Sequence, residues 1–242
     1  MKRVGLLLSA FVLIAALAYI GYRWLLPRFS NGQSNSNDNI GQWFDDPAAR
    51  PSLTTAMNRT ICPGAPFILP SDGLIGLLWN DPAGPYTVFN PHTGIDVFGD
   101  GEAGEVPVYA AFDGLLTRHS DWIASVIIKH DDPLQEGRAI WTYYTHMASR
   151  DGAHSFIVPA FAAGVEDIPV KQGDLLGYQG EFAGVGRPPI GLHVHFSIVT
   201  SDDEGNFKNE AVIGNTLDPS PYLGMPLNIA GWPQRPIHCQ TP

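Results

Sequence analysis

Five side chains able to bind a metal or move a proton fall in three short pieces of this chain. They are His92 and Asp96 in His92-Thr93-Gly94-Ile95-Asp96, His146 in Tyr144-Thr145-His146, and the pair in His193-Val194-His195. Neutral imidazole and carboxylate are good zinc ligands, and three protein ligands leave a fourth position open for water, so the set could build a catalytic zinc centre. A structural zinc is disfavoured, because such sites close the fourth position with protein ligands, usually Cys. The chain has only Cys62 and Cys239, far apart and in no C-x-x-C motif.

The spacings require particular elements. In an extended strand successive side chains alternate faces, so His193 and His195 project from one face and can share a site. The run 191–199 alternates, with Leu192, Val194, Phe196 and Ile198 on one side and His193, His195 and Ser197 on the other. It reads as a strand with an apolar back and a chemically active front. His92 and Asp96, four apart, align on one face of a helix or a strand; Pro91 and Gly94 argue against the helix. A turn leading into a strand is predicted there. A single His on a strand is more often a packed or surface residue than a ligand, and it is the co-occurrence of all three pieces that points to a metal. His130 closes the apolar run Val126-Ile127-Ile128 and reads as a strand-end residue, while His119, His154 and His238 lie in turn-like surroundings and read as exposed.

In order and content the three pieces resemble the M23 family of zinc metallopeptidases, the LytM/lysostaphin type that cuts peptidoglycan peptides. Its pattern is H-x3-D, a lone His after an aromatic, then H-x-H. The resemblance covers about 86–199 and extends past the ligands: Gly94-Ile95-Asp96-Val97 matches G-[IV]-D-[IV], Val106-Pro107-Val108-Tyr109-Ala110 begins a similar hairpin, and Val170-Lys171-Gln172-Gly173-Asp174-Leu175-Leu176-Gly177 matches V-x-x-G-x-x-[IL]-G. It implies a mainly β fold with little helix, an antiparallel sheet forming the floor of a narrow groove. One zinc per chain would sit on His92, Asp96 and His195, with His146 and His193 as catalytic histidines. Tyr86 lies near where some members place a tyrosine that stabilises the transition state. Two features depart from the pattern: Ser197 stands where a Glu is usual, and residues 150–168 are longer than usual, an expected extra loop near the groove. The implied activity is zinc-dependent endopeptidase action on peptidoglycan stem peptides or cross-bridges. The alternative is a non-catalytic module that binds wall peptide or activates another hydrolase, a role the family takes when ligands are lost; all five residues are present here.

The rest of the chain places that chemistry. Lys2-Arg3 precede an uncharged run from Val4 to Tyr22, close to the ~20 residues that span a bilayer. Ala16-Leu17-Ala18 could be a cleavage site, but apolar character continues beyond it, and Tyr19, Tyr22, Trp24 and Arg28 suit an interfacial belt. Residues 1–28 are therefore expected to be an uncleaved transmembrane helix, with secretion after signal cleavage as the alternative, and the catalytic part outside the cytoplasm. Residues 29–42, rich in Ser and Asn, are expected to be a flexible tether, and 43–242 one domain. Four of the 14 basic residues flank the apolar run, leaving 10 against 24 acidic ones. Nucleic acid, which needs clustered Lys and Arg, is excluded as an expected partner. In an exported protein two cysteines favour a disulfide, here tying two proline-rich flanks.

Overall fold

The computed structural model describes residues 35–240, apart from 56 and 58. Helix α1 (Ser36–Asp45) and the helical turn α2 (Arg50–Leu53) lead into strands β1 (Leu74–Ile75), β2 (Ile95–Phe98), β3 (Pro107–Tyr109), β4 (Gly114–Thr117), β5 (Val126–Asp131) and β6 (Ala139–Thr145). Then come β7 (Ile168–Val170), β8 (Leu175–Tyr178), β9 (Val194–Thr200), β10 (Thr216–Leu217) and the turn α3 (Ser220–Leu223). The described residues are mainly β with little helix, as expected. The principal sheet is antiparallel, ordered β1-β2-β9-β6-β5-β4-β7 with β10 also on β9, and β3 pairs with β8 in a separate ribbon.

The alternating run at 191–199 becomes the strand on which the sheet is organised. β9 takes β6 along one edge and β2, then β10, along the other. The register sets Asp96 directly opposite His195 on one side and Thr145 opposite His195 on the other. Directly paired residues share a face, so these three side chains stand together on the front. Their neighbours Ile95, Val97, Tyr144, Val194 and Phe196 turn to the back and are fully buried. A one-residue slip would exchange the two faces, so burial of this apolar set fixes the register and with it the site. Gly94, between the ligand candidates His92 and Asp96 where the turn enters β2, lies against the Phe196 carbonyl of β9; a Cβ there would stand only 2.1 Å from that oxygen.

The tether expected over 29–42 is corrected in its described part, since α1 begins at Ser36. Ile40, Trp43 and Phe44 recur at helical spacing. Trp43 is buried with Leu53, Leu74 and Phe98 in a small core of its own, with Ile40 packed against it, and Phe44 meets Phe98 edge to face. The Ser and Asn residues that suggest a coil lie on the rest of the helix surface, apart from Ser36, which is buried. Among the described residues no helix is long and apolar enough to cross a membrane; the anchor expected over 1–28 lies outside them. The extra segment 150–168 is present but lines no part of the groove. It packs Ile157 and Phe161 into the main core, and its Gly152 lies against the ring of the groove-lining Phe182. The buried Arg118 side chain holds it, donating to the carbonyls of Trp122, Ile123 and Phe161 and to Ser155.

Cys62 and Cys239 are joined, as expected. The bond spans 177 residues of sequence, and closing so long a loop stabilises by roughly 4–5 kcal/mol in the chain-entropy model, with measured values often lower. Replacing both cysteines by serine is expected to lower the melting temperature by on the order of 10 °C. Calorimetry of the two proteins checks this, and an unchanged melting temperature refutes it.

Candidate metal centre

His92, Asp96 and His195 each offer one ligand atom, and the three atoms lie together in the interior. His92 Nε2 is 3.0 Å from Asp96 Oδ1 and 2.9 Å from His195 Nδ1, and the last two are 2.9 Å apart. What the other ring nitrogens touch decides what these atoms carry. His92 Nδ1 is 3.0 Å from the Leu78 carbonyl, an acceptor, so it holds the hydrogen and Nε2 keeps its lone pair. His195 Nε2 faces the Glu210 carboxylate at 2.8 Å and must donate, so the neutral ring presents a lone pair at Nδ1. Three lone pairs thus converge on one point, and at 2.9–3.0 Å they repel unless a proton or a cation lies between them. Two imidazoles and a carboxylate are the donor set of a three-ligand zinc centre, and the residues fit that ion.

Charges around the point agree. Burial opposes ionisation of Asp96, but the neighbouring His92, His193 and His195 hold its carboxyl well below the usual range. Burial likewise disfavours a charged His195, yet Glu210 and Asp96 outweigh it and push the imidazole up to about 10. A proton and a divalent cation therefore compete for Nδ1, and metal uptake must release that proton. Glu210 itself is drawn down to about 2, burial notwithstanding, by His195 and by a bond from Thr93.

The other two candidate histidines flank the cluster without joining it. His146 follows the last residue of β6 in left-handed backbone, φ 74°, a conformation that costs a non-glycine residue about 1 kcal/mol or more. Gly180 makes room for that turn: a Cβ on it would lie 2.5 Å from the His146 carbonyl. His146 Nδ1 donates to the Phe182 carbonyl at 2.8 Å, and His193 Nδ1 to that of Gly191 at 2.7 Å. Each ring therefore keeps a lone pair on Nε2. The two rings lie 4.6 Å apart. His193 stacks on Phe98, and its Nε2 is 3.7 Å from Asp96 Oδ2. Burial, reinforced by the nearby histidines, lowers the His146 pKa to about 3. Burial also lowers that of His193, against the pull of Asp96. Both are neutral bases at pH 7.

A groove of about 520 Å³ opens over His195, His146, Thr145 and Glu210, walled by Tyr86 on one side and by Trp122 and Arg187 on others. Tyr86 packs its ring 4.8 Å from that of His92. Burial, then Asp96 and Glu210, raise its phenol pKa, so it stays a hydrogen-bond donor. The remaining histidines stand apart, as expected for His119, His154 and His238, which are exposed. His130 is buried near the end of β5, bonded to the Asp113 carbonyl and Thr142. Burial takes its pKa down to about 4, which leaves it a neutral core residue. Glu210 is the residue that sequence reasoning missed. It arrives from the acidic stretch between β9 and β10 and belongs to no motif.

No family model matches the chain, and no curated protein matches it. Solved structures of M23-type peptidases do resemble it in part. Lysostaphin from Staphylococcus simulans is 18% identical, over 62% of this chain and 49% of that one, with a TM-score of 0.38. A variant of the catalytic domain of the prophage-encoded M23 protein EnpA from Enterococcus faecalis is 24% identical over 62% of this chain and 94% of that one, TM-score 0.35. A zinc-containing peptidase from Vibrio cholerae is 18% identical over 64% and 40%, TM-score 0.36. This chain spans about half the length of lysostaphin. The reading of the site rests on its own residues and their geometry.

Proposed function

We propose that this protein is a zinc-dependent endopeptidase that hydrolyses peptide bonds in peptidoglycan stem peptides or cross-bridges, working outside the cytoplasm from a membrane anchor at its N-terminus. The observation that carries the reading is the convergence of His92 Nε2, Asp96 Oδ1 and His195 Nδ1 on one point beside two neutral histidines that belong to no other network. The disulfide supports an oxidising compartment, and the acidic excess argues against nucleic acid as a partner.

Zinc held by His92, Asp96 and His195 would supply a Lewis acid that polarises the scissile carbonyl and acidifies an attacking water. The chain's own residues do the rest. His146 and His193, anchored through Nδ1 to backbone carbonyls, aim Nε2 inward, where one ring takes the proton of the attacking water. Once charged, that ring can return the proton to the leaving amine, while the Tyr86 hydroxyl, which keeps its hydrogen, steadies the oxyanion. Their depressed pKa values keep the histidines in the base form across the neutral range. The groove, within the size range of ligand sites, is lined by Tyr86, His146 and His195 and would seat the peptide against them.

Incubating the protein with purified peptidoglycan and identifying released fragments by mass spectrometry tests this. Soluble peptides with new amino termini are expected, lost on treatment with a chelator and restored by zinc. Intact peptidoglycan after incubation with zinc-loaded protein would overturn the reading.

A further inference from the structure

Glu210 has no part in the sequence motifs, yet its carboxylate lies against the metal centre. Its Oε1 accepts from His195 Nε2 at 2.8 Å and closely from the Thr93 hydroxyl. The carboxylate is largely buried, with 17% of its side chain exposed. Thr93 sits between the two ligand candidates of the β2 turn, so the chain of contacts runs Thr93 to Glu210 to His195, from one ligand-bearing element to another. A metal-binding imidazole needs a fixed partner on its second nitrogen, because that bond sets both which nitrogen is bare and which way the ring points. For His92 the partner is the Leu78 carbonyl. For His195 nothing on its own strand serves: Ser197, two residues on, has a buried hydroxyl without a hydrogen-bond partner among the described residues.

We propose that Glu210 is a positioning residue of the metal centre, whose carboxylate, held by Thr93, fixes the ring and tautomer of His195 so that Nδ1 is the atom offered to the ion. The inference rests on the metal reading given above and adds to it the loop between β9 and β10. A carboxylate there has a further consequence. It makes the imidazole a stronger donor and adds negative charge near the ion, so the loop that walls the groove also sets how tightly the metal is held. Loop and ion are thereby coupled.

The test measures metal directly in the full chain, by competition against a chromophoric chelator, for the parent and for Glu210→Ala, Glu210→Gln, Thr93→Val and Thr93→Ser. Glu210→Ala is expected to weaken zinc about 10- to 100-fold, the scale for outer-shell partners of metal-bound histidine. Glu210→Gln, whose amide oxygen can still accept, should lose less, as should Thr93→Val; Thr93→Ser, which keeps the hydroxyl, should match the parent. The visible absorption of the cobalt-substituted protein should shift in Glu210→Ala, because the ligand ring is no longer held, while the melting temperature of the metal-free protein stays within a few degrees. Zinc affinity within twofold of the parent in Glu210→Ala, with an unchanged cobalt spectrum, overturns the proposal. Should that variant fail to fold, parent-like affinity in both Glu210→Gln and Thr93→Val overturns it equally. A parent protein that takes up no zinc overturns the metal centre itself and this inference with it, whereas a zinc-binding parent that leaves peptidoglycan intact overturns only the activity.

Discussion

Replacing His195 by Ala is expected to leave the protein with almost no zinc after dialysis and with no measurable turnover. The imidazole supplies one of three donors, so only His92 and Asp96 remain, and the loss should exceed the roughly 100-fold typical of an outer-shell partner. A second effect acts in the same direction. His195 stands between two carboxylates, with Nδ1 2.9 Å from Asp96 and Nε2 2.8 Å from Glu210. Without the ring these face each other across a largely buried gap with less positive charge to offset them, and like charges so placed shift toward the protonated form. A protonated Asp96 is a poor ligand. Elemental analysis after gel filtration in metal-free buffer measures the outcome. Full occupancy in His195→Ala would show that the ion sits elsewhere and that the convergence of lone pairs has another cause.

What the sequence made legible is what period and register control. The alternation around His193-Val194-His195 specified a strand and its front, and apolar back residues such as Val194 and Phe196 fixed the pairing that sets Asp96 beside His195. Glu210 was not legible, because its contact with His195 is made by a loop that doubles back over the sheet, and no periodicity governs where a loop carboxylate arrives. The nearest signal was Ser197, which stands where the resemblance has a Glu. The helix at 36–45 was missed for a different reason. Its three apolar residues are few, and the polar composition around them resembles a solvated coil; only the pocket formed by Leu53, Leu74 and Phe98 makes burial of Trp43 possible. The segment 150–168 touches the groove-lining Phe182 through Gly152, while its apolar residues Ile157 and Phe161 serve the core, a division that no period in the sequence marks.

Replacing His146 or His193 by Ala should separate chemistry from metal retention, with zinc still bound and turnover down by roughly 100-fold or more, the scale of a general acid or base. The geometry distinguishes these two from the ligands. Each has its Nδ1 committed to a carbonyl, and their free Nε2 atoms do not belong to the triangle of His92, Asp96 and His195. The two substitutions should not be equivalent in every respect. His193 approaches Asp96 Oδ2 at 3.7 Å and stacks on Phe98, so its removal also alters the surroundings of a ligand and should weaken zinc somewhat. His146 touches no ligand carboxylate but sits in strained left-handed backbone, and His146→Ala keeps the strain while losing the ring. His146→Gly should relieve the strain and still be inactive, which ties the loss to the imidazole rather than to the turn. If zinc left on replacing His146 while His195→Ala retained it, the roles of the two histidines would have to be exchanged. That would also require a ligand atom moved off a strand whose register the core fixes, which is why retention of zinc in His146→Ala is the expected result.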